Sequence, residues 1–256
     1  MRNSLFNRRQ LLKLTGVGIG AAAVGASPAV AQPENEDSDP TEIEDWHDLN
    51  TIRENLDDGY VLVNDLDEET DGYDEHVGHP EAGWAPIGSD TPFTGSFDGE
   101  NNEISGLEIS RPDTTDVGLF SAIEEAVIEN VDLTDVGILG ENDVGSLVGQ
   151  NEGQIINAHA SGEVTAETVL EGDGFHFARV GGLVGDNRTE VTDSHATCDV
   201  TATGESTSAG GLVGSSYITG TVSDSYAEGD VTASSGDAGG LVGQNQGEIT
   251  QSYAEG

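Results

Sequence analysis

One short phrase returns along the chain: Val144-Gly-Ser-Leu-Val-Gly149, Val180-Gly-Gly-Leu-Val-Gly185, Ala209-Gly-Gly-Leu-Val-Gly214 and Ala238-Gly-Gly-Leu-Val-Gly243. Its leucines, Leu147, Leu183, Leu212 and Leu241, follow at steps of 36, 29 and 29 residues. A weaker copy, Val117-Gly-Leu-Phe120, places Leu119 28 residues further upstream. A period near 28 is the length of one coil of a solenoid. A phrase copied coil by coil builds a surface and does not by itself assemble a one-off active site, so the period argues against an enzyme.

Each period holds three β-prone stretches: Gly-Leu-Val-Gly, then an Ile/Val-to-Ala stretch such as Val222-Ser-Asp-Ser-Tyr-Ala227, then Val-Thr-Ala as at Val231–Ala233. Gly, Asn or Asp bounds each stretch, and these residues tolerate the left-handed turn conformation. Helical periodicity is absent, and glycine is too frequent for helix interiors. The expectation is an all-β fold, a right-handed parallel β-helix with about three strands per coil. Coils would stack about 4.8 Å apart, so Leu119 to Leu241 spans roughly 19 Å of rod. Alternation points the leucines, the Ile/Val positions, Ser194, Ser225, Ser252 and the following alanines inward. The paired glycines before each Leu let neighbouring coils close. The 36-residue step predicts an insertion around Glu167–Ala178 at one corner.

Gly-Gly-Leu-Val-Gly, followed by Asn245-x-Gly247-x-Ile249 and Ser252-Tyr253-Ala254, resembles the GLUG-motif repeat family. The lead-in Trp84-Ala-Pro-Ile-Gly88, Phe93-Thr-Gly-Ser-Phe-Asp-Gly99 and Ile104-Ser-Gly-Leu107 resembles the same family. The resemblance covers roughly residues 84–256. Ser215-Ser216 departs from the usual x-Asn, and Cys198 stands where a Gly is usual. The resemblance implies large extracellular proteins, either adhesin-like surface proteins or secreted peptidases whose repeats are accessory.

Before the repeats, Asn7-Arg8-Arg9-Gln10-Leu11-Leu12-Lys13 is a twin-arginine pattern, followed by an apolar Gly/Ala stretch and the small-x-small site Ala29-Val-Ala31. Residues 1–31 therefore read as an export signal with Arg8 and Arg9 as the targeting pair, and residues 32–44 as a solvated acidic linker. Residues 45–83 read as an N-terminal cap. Asp45 starts a helix running to Leu56 and ended by Gly59, with Leu49, Ile52 and Leu56 on one face, and a strand follows at Tyr60–Val63. Such a cap covers the open end of a β-helix. Residues 84–256 form the repeat region, and Gly256 falls inside a repeat, which suggests a longer natural chain.

The chain carries 49 acidic against eight basic residues, a formal charge of −41. Arg2, Arg8, Arg9 and Lys13 precede Gln32 and no acid does, so the remainder carries −45 and no lysine. Self-repulsion on this scale destabilises a compact state at low ionic strength, and molar salt, with a Debye length of about 3 Å, relieves it. The composition therefore reads as extreme salt adaptation. It argues against nucleic-acid partners, whose phosphates this surface repels. Glycans or other surface proteins are the expected partners, and no segment reads as membrane-spanning. One cysteine, Cys198, at a repeat turn, provides no disulfide framework.

Four constellations could carry chemistry. Asp67-x-Glu69-x-Asp71-Gly72 has the alternating oxygens and glycine of a calcium loop, but the twelfth position from Asp67 is Gly78 and not a Glu. Calcium is therefore a weak expectation, and no other cofactor is expected. His76-x-x-His79 lacks two further zinc ligands in sequence. His159, His195, Tyr226 and Tyr253 share one repeat position and should form an outward column, either a sugar-stacking platform or a ring ladder that stiffens the sheet. Asn187-Arg-Thr189 is a glycosylation sequon that coincides with the repeat's turn Asn. No nucleophile elbow, zinc helix or phosphate loop is present, and no acidic pair can be singled out for polysaccharide cleavage. The reading is an exported, salt-adapted, adhesin-like module without catalysis of its own. The alternatives are a polysaccharide-acting β-helix and the repeat region of a secreted peptidase.

Overall fold

The leucine phrases lie directly above one another. Leu147 donates its amide to the carbonyl of Leu183 (3.1 Å), Leu183 to Leu212 (3.0 Å) and Leu212 to Leu241 (2.9 Å). The computed structural model describes residues 39–78, 82–168, 177–204 and 206–255. The proposed signal with Arg8 and Arg9, the first part of the linker, His79 and most of the expected insertion lie outside these residues.

The chain forms a parallel β-solenoid of about 5 turns with three sheets. The first sheet starts with Thr41–Ile43, Gly59–Leu62, Ser96–Asp98, Phe120–Glu129 and Val148–Ile156. It then continues as the split strands Val184–Asn187 with Glu190–Thr192, Val213–Ser216 with Thr221–Ser223, and Val242–Asn245 with Glu248–Thr250. The second sheet runs from Asp132–Gly140 and His159–Glu167 to Tyr226–Glu228 and Tyr253–Glu255. The third stacks Thr115–Val117, Asn142–Val144, Ala178–Gly181, Thr207–Gly210 and Gly236–Gly239. From Val184 onward equivalent residues of the first sheet pair across coils without slip, as in Val184 with Val213 and Val213 with Val242, while the register shifts by a bulge between Glu152 and Gln154 and, on the second sheet, between Ala160 and Gly162.

The interior is built from columns of like side chains. Leu119, Leu147, Leu183 and Leu212 are fully buried, as are Ile128, Ile155, Val191 and Val222 on the first sheet. Alternation along the second sheet buries Ala160, Ala196 and Ala227 beside Val164 and Val200. The glycine pair before Leu183, Leu212 and Leu241 is dictated by the closeness of neighbouring coils. A Cβ on Gly211 would sit 2.1 Å from the Gly240 carbonyl oxygen.

A column of serines lines one corner of the interior. The hydroxyls of Ser194, Ser225 and Ser252 accept from the amides of Ala158, Ser194 and Ser225, each at 3.1 Å. The same hydroxyls donate back to the carbonyls of Thr192, Ser223 and Thr250. Each serine thus satisfies a backbone group at the corner, which is why the motif carries Ser before the aromatic. The residue just before each serine, Asp193, Asp224 or Gln251, and Asn157 before Ala158 in the preceding coil, turns that corner at φ near +50°. Short amide and carboxylate side chains tolerate this region best.

At the start of the described chain, Thr41–Ile43 pairs in parallel with Gly59–Leu62, which pairs with Ser96–Asp98. The acidic linker expected over 32–44 thus gives way at Thr41 to a strand whose Ile43 is fully buried. The cap supplies the first rungs as well as a cover. Its helix is Trp46–Thr51, continued by a 3-10 turn, Ile52–Glu54, with the Asp45 carboxylate accepting from the Asp48 amide at 2.9 Å. The helix stops short of Leu56 and Gly59. Trp46, Leu49 and Ile52 form the buried face, and Leu56 is only partly buried. Trp46 packs 5.8 Å from both Tyr73 and Trp84.

Candidate functional site

His159, His195, Tyr226 and Tyr253 stand in one column on the second sheet, paired in register coil to coil. Ring centroids are 3.8 Å apart for His159–His195, 4.5 Å for His195–Tyr226 and 5.3 Å for Tyr226–Tyr253. The last two pairs lie 6° and 7° from parallel. The column forms where sequence alternation put it, but its geometry is that of a ladder. Both faces of Tyr226 are covered by neighbouring rings, so Tyr226 meets solvent by its edge. A sugar stacking on aromatic faces needs those faces open, which Tyr226 does not offer, while Tyr253, at the end of the described column, is 51% exposed. Burial and the neighbouring His159 push His195 down to about 4, and burial lowers His159 as well, against the opposing charge of Asp132. The imidazoles are therefore neutral at neutral pH, which lets them stack without repelling one another.

A second cluster lies at the corner between the third and first sheets. Asp116, Asp143 and Arg179 are consecutive rungs of the third sheet, flanked by the Val117, Val144 and Val180 pairs. Arg179 binds Asp143 (Nε to Oδ1 2.5 Å, Nη2 to Oδ2 2.9 Å) and Asp186 (Nη1 to Oδ1 3.3 Å). Arg188 binds the second oxygen of Asp186 at 3.0 Å and also Glu152. Tyr217 closes the cluster, its hydroxyl 3.1 Å from Arg179 Nη1 and its ring 5.1 Å beneath the Arg188 guanidinium. Carboxylates outnumber guanidiniums here. Burial, against the pull of Arg179 and with Asp186 and Asp116 nearby, raises Asp143 to about 7. Burial raises Asp116 and Asp186 too. The sequence could not single out converging acids, but here three converge. Arg179 and Arg188 hold Asp143 and Asp186, which are almost closed to solvent.

The loop proposed for calcium turns its oxygens inward on itself. Asp67 Oδ1 accepts from the Glu69 amide and the Thr70 hydroxyl, both at 2.9 Å, and these bonds hold Asp67 below the usual carboxylate range. Asp71 Oδ1 accepts from the Gly72 amide. Among the described residues, the side chains that converge as metal ligands are not Asp67, Glu69 and Asp71 but His47, Glu75 and His76. His47 sits 29 positions before His76 on a different element, so no spacing in the sequence linked them.

One further expectation, the sequon at Asn187, is corrected. Asn187 is fully buried. Its Oδ1 accepts from Asn151 Nδ2 at 2.8 Å and its Nδ2 donates to the Thr221 carbonyl at 3.3 Å. In the folded chain it belongs to an internal amide ladder and not to an accessible sequon. Cys198 is also fully buried, with Sγ 3.5 Å from the Gly182 carbonyl oxygen, and burial pushes its thiol up to about 12. It lies at the repeat turn, as the sequence placed it, with its thiol buried and inert. Among the described residues no helix is long and apolar enough to cross a membrane.

With this geometry established, comparison with known proteins adds three observations. Residues 140–165 and 205–232 match the family model described as the GLUG motif. The chain is 34% identical over 141 residues to halomucin of Haloquadratum walsbyi, and 35% identical over 138 residues to a protein of Evansella cellulosilytica provisionally named a Gly-rich membrane protein. These alignments take in 52% and 51% of this chain but only 2% and 15% of those much longer relatives. In fold, the chain is similar to a crystal structure of a Bacteroides ovatus protein provisionally named an immunoglobulin A1 protease. The TM-score is 0.51 at 16% identity, over 85% of this chain and 76% of that one, a likeness of fold alone. The chain thus carries GLUG motifs on a parallel β-solenoid and is similar over about half its length to segments of two far longer proteins.

Proposed function

We propose that this chain is an exported, salt-adapted, surface-associated module of adhesin type, a rod that spaces or presents and does not catalyse. The observation that carries this reading is the direction in which its repeated groups point. Leucines, serines, paired glycines and stacked rings all engage the next coil, while the acids, apart from the buried Asp143 and Asp186, lie largely on the outside. Repeated chemistry aimed at neighbouring coils makes a stiff, hydrated rod. The likeness to halomucin and to a protein named as a membrane protein supports placement at the cell surface, and Arg8 with Arg9 would send the chain out by the twin-arginine route. Partners would be glycans or other surface proteins, met by ring edges and carboxylates.

The test is expression of the full chain in a salt-requiring host, followed by external protease treatment of intact cells. The expected result is digestion of the wild-type chain from outside and retention inside of an Arg8→Lys/Arg9→Lys variant. Equal protection of both from the protease would overturn the reading. A glycan screen in molar NaCl then tests the ring edges. Tyr226→Phe keeps the stack and removes one hydroxyl, so a glycan that uses this edge should bind the variant more weakly.

A polysaccharide-cleaving reading draws on the near-neutral Asp143 beside Asp116 and Asp186. Release of reducing ends from acidic or neutral polysaccharides, abolished by Asp143→Asn, would establish it over the reading above.

A further inference from the structure

The cap brings together three groups that the rod does not use. His47, on the helix Trp46–Thr51, and His76, at the end of the short helix Tyr73–His76, approach with Nδ1 of the first 2.9 Å from Nε2 of the second. Glu75 offers a carboxylate oxygen, and all three ligand atoms lie within 4.8 Å of one another. We propose that His47, His76 and Glu75 form a binding site for a divalent first-row transition-metal ion that pins the cap helix to the acidic loop.

The nitrogen spacing carries the argument. Imidazole nitrogens sit about 2.0–2.1 Å from such an ion, so two of them at right angles around it are roughly 2.9 Å apart, and about 3.3 Å apart in a tetrahedron. The observed 2.9 Å already matches the first arrangement and needs only a few tenths of an ångström for the second. Without metal the two rings share one N–H···N hydrogen bond. With metal, the proton of His47 resides on Nε2, which faces Asp71 Oδ1 at 3.9 Å. A carboxylate behind the free nitrogen is the usual outer partner of a metal-bound imidazole. The rings are also held in place. They meet edge to face at 85°, His76 lies edge-on to the buried Trp84, and a Cβ on Gly72 would come within 3.0 Å of the His47 ring.

The surroundings favour a cation. A cavity of about 330 Å³ opens between His47 and the loop, with Glu68, Glu69, Asp71 and Asp74 on its wall. Carboxylates alone would collect magnesium or calcium as loose counterions. Two imidazoles select instead for metals such as nickel, copper, zinc or iron. Because Trp46 and Trp84 lie beneath these ligands, an ion here would tie the helix covering the first rungs to the loop beside them. Binding to the folded state alone raises thermal stability by mass action.

Calorimetric titration of the full chain with Ni²⁺, in concentrated NaCl and excess Mg²⁺, tests the site. The expected result is one saturable equivalent, a rise in melting temperature, and a loss of affinity of about tenfold or more in both His47→Gln and His76→Gln. Glu75→Gln should weaken binding less. Far-UV circular dichroism of the metal-free variants checks that they fold. Should a variant fail to fold, the Cu²⁺ form of the wild-type chain decides, since its electron paramagnetic resonance spectrum should show coupling to two imidazole nitrogens. No saturable uptake above the Mg²⁺ background, unchanged uptake by a folded His47→Gln/His76→Gln double variant, or coupling to fewer than two nitrogens would overturn the proposal.

Discussion

The imidazole of His195 lies parallel to the phenol ring of Tyr226, 6° apart in plane and 4.5 Å between centroids. This contact has a consequence for acid stability. His195 is held down near 4 in the folded chain, against about 6.5 when unfolded. Its contribution is present in full above about 6.5, and it is lost as pH falls through that value toward 4, where the unfolded chain takes up the proton first. His195→Tyr continues the tyrosine stack and has no such titration. Melting temperatures in constant brine should therefore fall less for His195→Tyr than for wild type between pH 6.5 and 4. Parallel curves would contradict the assignment.

The cluster at Arg179 has the opposite sign. Asp143 is raised to about 7 in the folded chain, from an ordinary value near 3.8. Between about pH 4 and 7 the folded state keeps a proton that the unfolded chain has lost, so stability falls as pH rises and levels off above 7. Asp143→Asn removes this slope. Its melting temperature relative to wild type should rise from pH 5 to pH 8, whatever constant offset comes from changing the contact with Arg179. Parallel curves over that range would mean that Arg179 holds Asp143 ionised throughout.

Gly211 tests the closeness of the coils. A methyl group there meets the Gly240 carbonyl oxygen at 2.1 Å and the Ala227 Cβ at 2.8 Å. Gly211→Ala should cost on the order of 3 kcal/mol, the upper range for overpacking a filled interior. Gly59→Ala meets the Ser96 hydroxyl at 3.1 Å, a side-chain atom that can move, and Pro40 at an ordinary contact of 3.7 Å, and should melt close to wild type. Thermal denaturation followed by circular dichroism reads both.

Asn187 offers a chemical test and a stability test. Peptide mass spectrometry of the exported protein should find Asn187 unmodified, since its amide nitrogen is bonded to Thr221 inside the coil. Asn187→Asp buries a carboxylate against the carbonyl of Thr221 and should cost roughly 3 kcal/mol or more at neutral pH, through an unpaired buried charge.

How much of this was legible in the sequence depended on whether a feature repeats. The leucine phrase announced the solenoid, because a period near 28 residues has few other physical meanings. The ring column was visible for the same reason, since His159, His195, Tyr226 and Tyr253 occupy one repeat position. That both faces of Tyr226 are covered was not visible, because it depends on stacking distance and not on order along the chain. Asn187 looked like a surface turn residue. Its interior role comes from the amide of Asn151 one coil away, and alternation cannot tell a buried amide ladder from a polar turn. The pair Asp143 and Arg179 did leave a signal, since their separation of 36 residues equals the step from Leu147 to Leu183. His47 and His76 left none. They are joined by the fold of the non-repeating cap, where no period relates one residue to another.

Because Val184 sits over Val213 and Val213 over Val242 without slip, each rung presents the next with the surface it was itself built upon. Tandem duplication of the coding sequence for one such unit would therefore add another storey whose side chains find ready partners. Reach would grow by about 4.8 Å per copy while girth stayed constant. A molecule assembled this way has a length counted in whole steps, which selection can extend or shorten without redesigning any single layer.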